Sequence, residues 1–188
     1  MSRSFTPARP VTAPSLSGMR LAFAAGLLAA AALGAPGARA AVATASASST
    51  VVAPIAIVKG ADLAFGKFAA TTGGALTVST SGARSITGGV VLMAGGASTA
   101  ARFDVTGETD ATYSIALGGS TTLVSGGNSM PFATVSDLTG ANSTSGNVAS
   151  GTLTGGAQSI YVGGVLTVAA AQPAGTYTGS VTATVEYN

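Results

Sequence analysis

The 188-residue sequence has no cysteine, no histidine and no tryptophan, and only 7% of its residues are charged. Each absence removes a class of function. Without His or Cys there is no Ser-His or Cys-His nucleophile pair and no imidazole or thiolate metal site. Without Cys no disulfide restrains the unfolded chain, so an exported domain must hold by its core and its backbone ladders. Glycines are many, yet the Gly-Gly pairs never form a G-x-G-x-x-G run opening a helix, and no P-loop is present. The formal net charge of +2 is unevenly placed. Arg3, Arg9, Arg20 and Arg39 lie in the first 40 residues. Beyond them Lys59, Lys67, Arg84 and Arg102 stand against Asp62, Asp104, Glu108, Asp110, Asp137 and Glu186, four cations and six anions, which leaves −2. No basic cluster remains to release counterions from a phosphate backbone, so nucleic-acid binding is not expected. Asp104, Glu108 and Asp110 are close in sequence, and a calcium ion wants clustered carboxylate oxygens. Their spacing fits no calcium loop, and a solvated turn accounts for them equally. No aromatic platform accompanies a carboxylate pair of the kind that cleaves glycosides. The expectation is a protein that is not an enzyme and carries no cofactor.

One long apolar run is present. Residues 21–33 (LAFAAGLLAAAAL) follow Arg20 and precede APGARA, in which Ala38 and Ala40 make a small-x-small cleavage site. This is the layout of a secretory signal peptide over residues 1–40, cut after Ala40. The run is shorter than the roughly 20 residues that span a bilayer; an N-terminal membrane anchor is the alternative. Met19, directly before Arg20, would open a more ordinary leader. No second run of that length follows, so no membrane-spanning helix is expected in the mature form. The expected location is beyond the inner membrane: periplasm, cell surface or extracellular space.

Residues 41–188 are rich in Thr, Ser, Val, Ala and Gly, a composition that opposes long helices and favours strands broken by glycine turns. Apolar residues repeat with period two, not 3.6. The clearest case is GTYTGSVTATVEYN (175–188), where Tyr177, Val181, Ala183, Val185 and Tyr187 share one face, and Thr178, Ser180, Thr182, Thr184 and Glu186 the other. Residues 102–117 predict a hairpin turning through GETDA. Further strands are predicted over 50–58, 75–80, 84–93, 121–125, 132–138 and 160–168, with Gly-Gly pairs as breaks. About eight short strands argue for an antiparallel β-sandwich of one domain over 51–188. An eight-stranded membrane barrel would want longer strands and aromatic girdles that are not there. Residues 139–157 read as an exposed loop with at most one short strand. The segment 41–50 (AVATASASST) is either a disordered tail or an extended strand in want of a partner.

The terminal pattern, with Gly175 fourteenth from the end, Tyr187 penultimate and apolar residues alternating between, resembles the motif by which chaperone–usher pilus subunits are held by their periplasmic chaperones. LAFG (63–66), FDVTGETDATYSIAL (103–117) and YVGGVLTVAAAQPAGTYTGSVTATVEYN (161–188) are similar to the secreted bacterial domain-of-unknown-function 4402 family, itself similar in pattern to spore coat protein U-like proteins. The resemblance spans most of residues 50–188, and AQPAGTYTG (171–179) is its most specific part. It implies an immunoglobulin-like, pilin-like sandwich lacking one strand, completed by the N-terminal extension of another copy. The implied partners are copies of the chain itself and a periplasmic chaperone and usher. The implied assembly residues are Gly175, Tyr177, Val181, Ala183, Val185 and Tyr187 on the accepting side. On the donating side they are Val42, Thr44, Ser46, Ser48, Thr50 and Val52, or the opposite Ala face. The chain departs from many pilins in having no disulfide and a donor segment of small residues. The final strand of a complete sandwich would show the same alternation, and a monomeric secreted module binding a glycan or surface polymer is the rival reading.

Overall fold

A computed structural model describes residues 40–188; the leader expected over 1–40 lies outside the described residues but for Ala40. Ten strands follow: β1 (Ala56–Ala61), β2 (Phe68–Val78), β3 (Arg84–Leu92), β4 (Ala101–Thr106), β5 (Thr112–Gly119), β6 (Thr122–Ser125), β7 (Asn128–Asp137), β8 (Ser150–Thr152), β9 (Ala157–Val168) and β10 (Val181–Tyr187). The helical content of the described residues is one 3-10 turn, Thr154–Gly156. The protein is all-β, in two antiparallel sheets: seven strands built around β9, and three in the order β10-β5-β8.

Strand β9 organises the larger sheet. Its first half pairs with β4, up to Val162 opposite Ala101, and its second half pairs with β2, from Gly164 opposite Val78. Strand β7 runs along the other edge, since Val162 also pairs with Ser136, and Leu166 with both Leu76 and Phe132. The edge passes from β4 to β2 at Gly163-Gly164. A Cβ on Gly163 would run into the Val78 carbonyl, and one on Gly164 into the Phe132 ring. Only glycine lets the two backbones come this close.

Several expected strands are where the alternation put them, among them β3, β6, β9 and β10. Others differ. The strand expected over 50–58 begins only at Ala56. Pro54 has no N–H to give a ladder, and both backbone groups of Ala53 are bound to side chains. The hairpin expected over 102–117 does not form: β4 pairs with β1 and β9, and β5 with β10 and β8. GETDA is a crossing between sheets, because Phe103 and Val105 find their cross-strand partners in Ile160 and Gln158 on the distant β9. The Gly-Gly pairs at 73–74 and 88–89 are not breaks. They sit inside β2 and β3, where the register shifts between Ala70 and Gly74, a bulge that glycine permits. Gly126-Gly127 does make a turn. Both have positive φ, 51° and 90°, which suits the two-residue loop joining β6 to β7.

Two apolar clusters fill the interior. One holds Leu76, Val78, Val90, Met130, Phe132, Leu166 and Val168, with the Phe65 ring edge-on to Phe132 at 5.9 Å. The other holds Val105, Tyr113, Ile115, Leu153, Ile160 and Val162. Leu63 and Val181 pack against both.

The long connection from β7 to β8 is held by one carboxylate. Asp137 accepts from the amides of Thr139 (2.9 Å), Gly140 (2.6 Å) and Ala141 (3.1 Å) and from the hydroxyls of Thr80 (2.5 Å) and Ser143 (2.9 Å). Burial works to raise its pKa, but the bonds from Thr80, Thr139, Ser143 and Gly140 outweigh this and hold it down at about 2, against an ordinary 3.8. A carboxyl depressed in the folded state stabilises the fold above its unfolded pKa and stops doing so as pH falls through the folded one. Asp137→Asn should therefore cost about 1.5–3 kcal/mol at neutral pH, the worth of a hydrogen-bonded charge. In denaturant titrations the gap to the parent should begin to close below the ordinary carboxylate pKa and disappear only as pH falls below about 2.

Tyr113 is fully buried, and its hydroxyl meets no hydrogen-bond partner among the described residues. Burial alone pushes this phenol up. Because an unpaired buried hydroxyl is a cost, Tyr113→Phe should leave stability unchanged or raise it by about 1 kcal/mol, read as an unchanged or increased melting temperature.

Candidate functional site

The candidate site is the gap between the two sheets at β1 and β10. Strand β10 pairs with β5 in continuous register, from Val181 opposite Gly119 to Tyr187 opposite Tyr113. The flanking bonds fix which backbone groups face which way. Ser180 O accepts from Ser120 N, and Asn188 N donates to Thr112 O. In an antiparallel ladder alternate residues bond the same neighbour. The even-numbered residues of β10 therefore bond β5, and Val181, Ala183, Val185 and Tyr187 turn their N–H and C=O groups to the other edge. Among the described residues no strand pairs with that edge, nor with the edge of β1 that faces away from β4. The side chains of the same four residues are half-buried, while Thr182, Thr184 and Glu186 are exposed.

Beside Val181 the sheets part. A groove of about 1300 Å³ opens between the segment 61–70 that follows β1 and the segment 172–181 that precedes and begins β10. Its walls carry apolar side chains, Phe65, Phe68, Leu123, Phe132, Tyr177 and Val181 among them, and polar ones, among them Lys59, Asp62, Lys67 and Gln172. Lys59 and Asp62 form an exposed ion pair at 2.8 Å. The volume exceeds the roughly 300–1,000 Å³ of pockets for small ligands. A shallower hollow of about 620 Å³ lies beside it, lined by hydroxyls and glycines such as Ser120, Thr178, Gly179 and Ser180.

The wall at 172–181 is shaped by a second polar hub. The Tyr177 hydroxyl donates to Pro173 O at 2.8 Å and accepts from Gln172 Nε2 at 2.8 Å, while Gln172 also reaches Ser129 O at 3.3 Å. Thr178 bridges Val124 on β6. The edge of the smaller sheet thus runs on past β10 toward β6 along the groove.

Of the residues read from the sequence, Tyr177 and Val181 lie in the groove wall. Gly175 lies at its outer margin with Ser125 close by, so that a Cβ there would crowd the Ser125 hydroxyl. Ala183, Val185 and Tyr187 continue the same row of β10, with Val185 and Tyr187 against the second cluster. Val42 and Val52 belong to a stretch, 40–54, that is exposed and without strand; Val42 is 84% exposed and Val52 53%. The carboxylates at 104–110 are dispersed. Asp104 bonds Arg102 at 3.2 Å and the Ser159 hydroxyl at 2.7 Å, and Glu108 bonds the Ala53 amide. No group of three acidic residues close enough to hold a metal ion occurs among the described residues. The alternation of the final strand did not disclose Phe65, Phe68 and Leu123. Their one local signal is the pair of phenylalanines in LAFGKF, too short to place on a sheet.

A family described as Domain of unknown function (DUF4402) matches residues 55–187. No curated protein and no solved structure matches the chain.

An open apolar wall in a folded protein should bind an environment-sensitive dye such as anilinonaphthalene sulfonate under native conditions. Leu123→Glu, on the groove wall, should reduce that fluorescence severalfold and cost at most about 3 kcal/mol of stability, checked by dye titration beside thermal unfolding.

Proposed function

The chain belongs to the DUF4402 family, and we propose that it is an exported structural subunit of a surface assembly, built by β-strand addition. In this reading the domain is an immunoglobulin-like, pilin-like sandwich short of one strand, the missing place being the groove between β1 and β10. The observation that carries it is that the two unpaired strand edges, on β1 and β10, both lead to one groove that opens beside Val181. A strand laid along β10 gains backbone bonds from Val181, Ala183, Val185 and Tyr187, and its alternate side chains beside Val181 enter the groove. Affinity then comes from main-chain pairing and specificity from the pockets.

The occupant in the assembly is the extension of another copy, residues 41–52, with Val42, Thr44, Ser46, Ser48, Thr50 and Val52 or the opposite Ala face turned inward. Its exposure and lack of strand partners support this role. The likeness of the Gly175-to-Tyr187 pattern to pilus subunits supports a chaperone that covers the groove before assembly, as does the liability of an uncovered edge. The signal-like pattern over 1–40 supports export. Nothing in this reading calls for catalysis, a cofactor or a nucleic acid.

Deleting residues 41–50 should abolish higher assemblies, read by native size measurement and electron microscopy, while thermal unfolding remains cooperative. A ladder unchanged by the deletion would overturn the reading. A full chain that stays monomeric at high concentration would favour a surface-binding module instead.

A further inference from the structure

Groove and extension belong to one chain, so a physical constraint must decide whether the extension fills its own groove or a neighbour's. That constraint lies at Ala53. Its amide donates to Glu108 Oε2 at 3.0 Å, and its carbonyl accepts from the Tyr187 hydroxyl at 2.8 Å. The same hydroxyl accepts from the Glu108 amide at 2.6 Å. One residue is thus gripped through both its backbone groups, and the phenol is used as donor and acceptor at once. Gly107 makes the room, since a Cβ there would run into the Tyr187 hydroxyl.

The grip is at the Tyr187 end of β10. The groove lies at the Val181 end, about 20 Å away along a strand that rises about 3.4 Å per residue. To pair with its own β1 as a tight hairpin, the extension would have to reverse immediately before β1, at Ala53-Pro54-Ile55. A tight hairpin wants positive φ, supplied by Gly, Asn or Asp. Pro54 is fixed near −65°, and a β-branched residue such as Ile55 resists positive φ. No glycine lies between residues 41 and 59. Ile55 is packed against the second apolar cluster, which anchors the far side of the would-be turn.

We propose that the Tyr187–Glu108–Ala53 grip, together with Pro54, bars the extension from its own groove and commits it to that of a second copy of this chain. The proposal rests on the strand-addition reading above. Each copy then gives a strand at one site and takes one at another. Such a head-to-tail contact need not close and builds open chains. Tyr187 acts here as a positioning residue for the root of the extension.

The test uses the full chain and compares three variants. Ala53→Asn with Pro54→Gly installs an Asn-Gly turn, and adding Tyr187→Phe removes the grip while keeping the ring. A segment tethered this closely competes at an effective concentration on the order of millimolar, so against micromolar partners assemblies should fall by roughly 100-fold or more. The monomers that replace them should protect the amides of residues 41–52 from hydrogen exchange, a readout that mere loosening would not produce. Tyr187→Phe alone, which decides the matter if the combined variant does not fold, should lower assembly severalfold with partial protection. If Tyr187→Phe and the combined variant build the parental ladder, the grip has no such role. That result stays separate from failure of strand addition itself, which would appear as a ladder indifferent to deletion of 41–50.

Discussion

A strand that is bonded along one edge only sets the terms for the rest of this molecule. In β10 the even-numbered residues spend their backbone groups on β5. The odd-numbered ones carry both an unpaired row of amides and carbonyls and a half-covered row of Val, Ala and Tyr side chains. Both deficits lie in the same four residues, the backbone one at the sheet's edge and the side-chain one on its inner face. An unpaired amide row invites a strand, and a half-covered apolar row invites a hydrophobic cover. One added strand would answer both. Strand β1 presents a second open edge, paired with β4 and with no other strand among the described residues.

The larger sheet holds that gap open. Because β9 trades β4 for β2 at Gly163-Gly164, the sheet divides into a part that carries β1 and a part that carries β2 and β3. The segment 62–67 between β1 and β2 has to cross from one part to the other. It brings Leu63 and Phe65 to the groove as it does so. Leu63 and Val181 each touch both apolar clusters. The groove therefore lies where the two cores meet.

Strand identity was largely legible in the sequence because it is local. Alternation in 181–187 and 84–92 and the Gly126-Gly127 turn are each set by neighbouring residues. Strand partnership is not local. The period of two in Phe103 and Val105 says that 101–106 is extended, but whether it pairs with 112–119 or with β9 depends on residues more than fifty positions away. The same limit hid the bulges, since Gly73-Gly74 looks like a break until Gly88 is found opposite. For the site, the row Tyr177 to Tyr187 could be read from its alternation. The groove walls at Phe65, Phe68 and Leu123 could not, because two segments distant in sequence, 65–68 and β6, supply them. Glu108 was legible only as one of three acids. Its bond to the Ala53 amide crosses 55 residues, and no short motif announces it.

A domain without cysteine has to tie distant segments by other means, and three hubs do so here. Asp137 binds the loop after β7 to Thr80, Tyr177 binds the groove wall to Gln172 and Pro173, and Tyr187 binds the root of the extension to Glu108. They differ in strength. Asp137 uses a full charge and five donors, and charge-assisted bonds are roughly twice as strong as neutral ones. The two tyrosines use a neutral hydroxyl with one donor and one acceptor each. The strong hub thus locks the loop after β7, and the weaker ones stand at the groove wall and at the root of the extension.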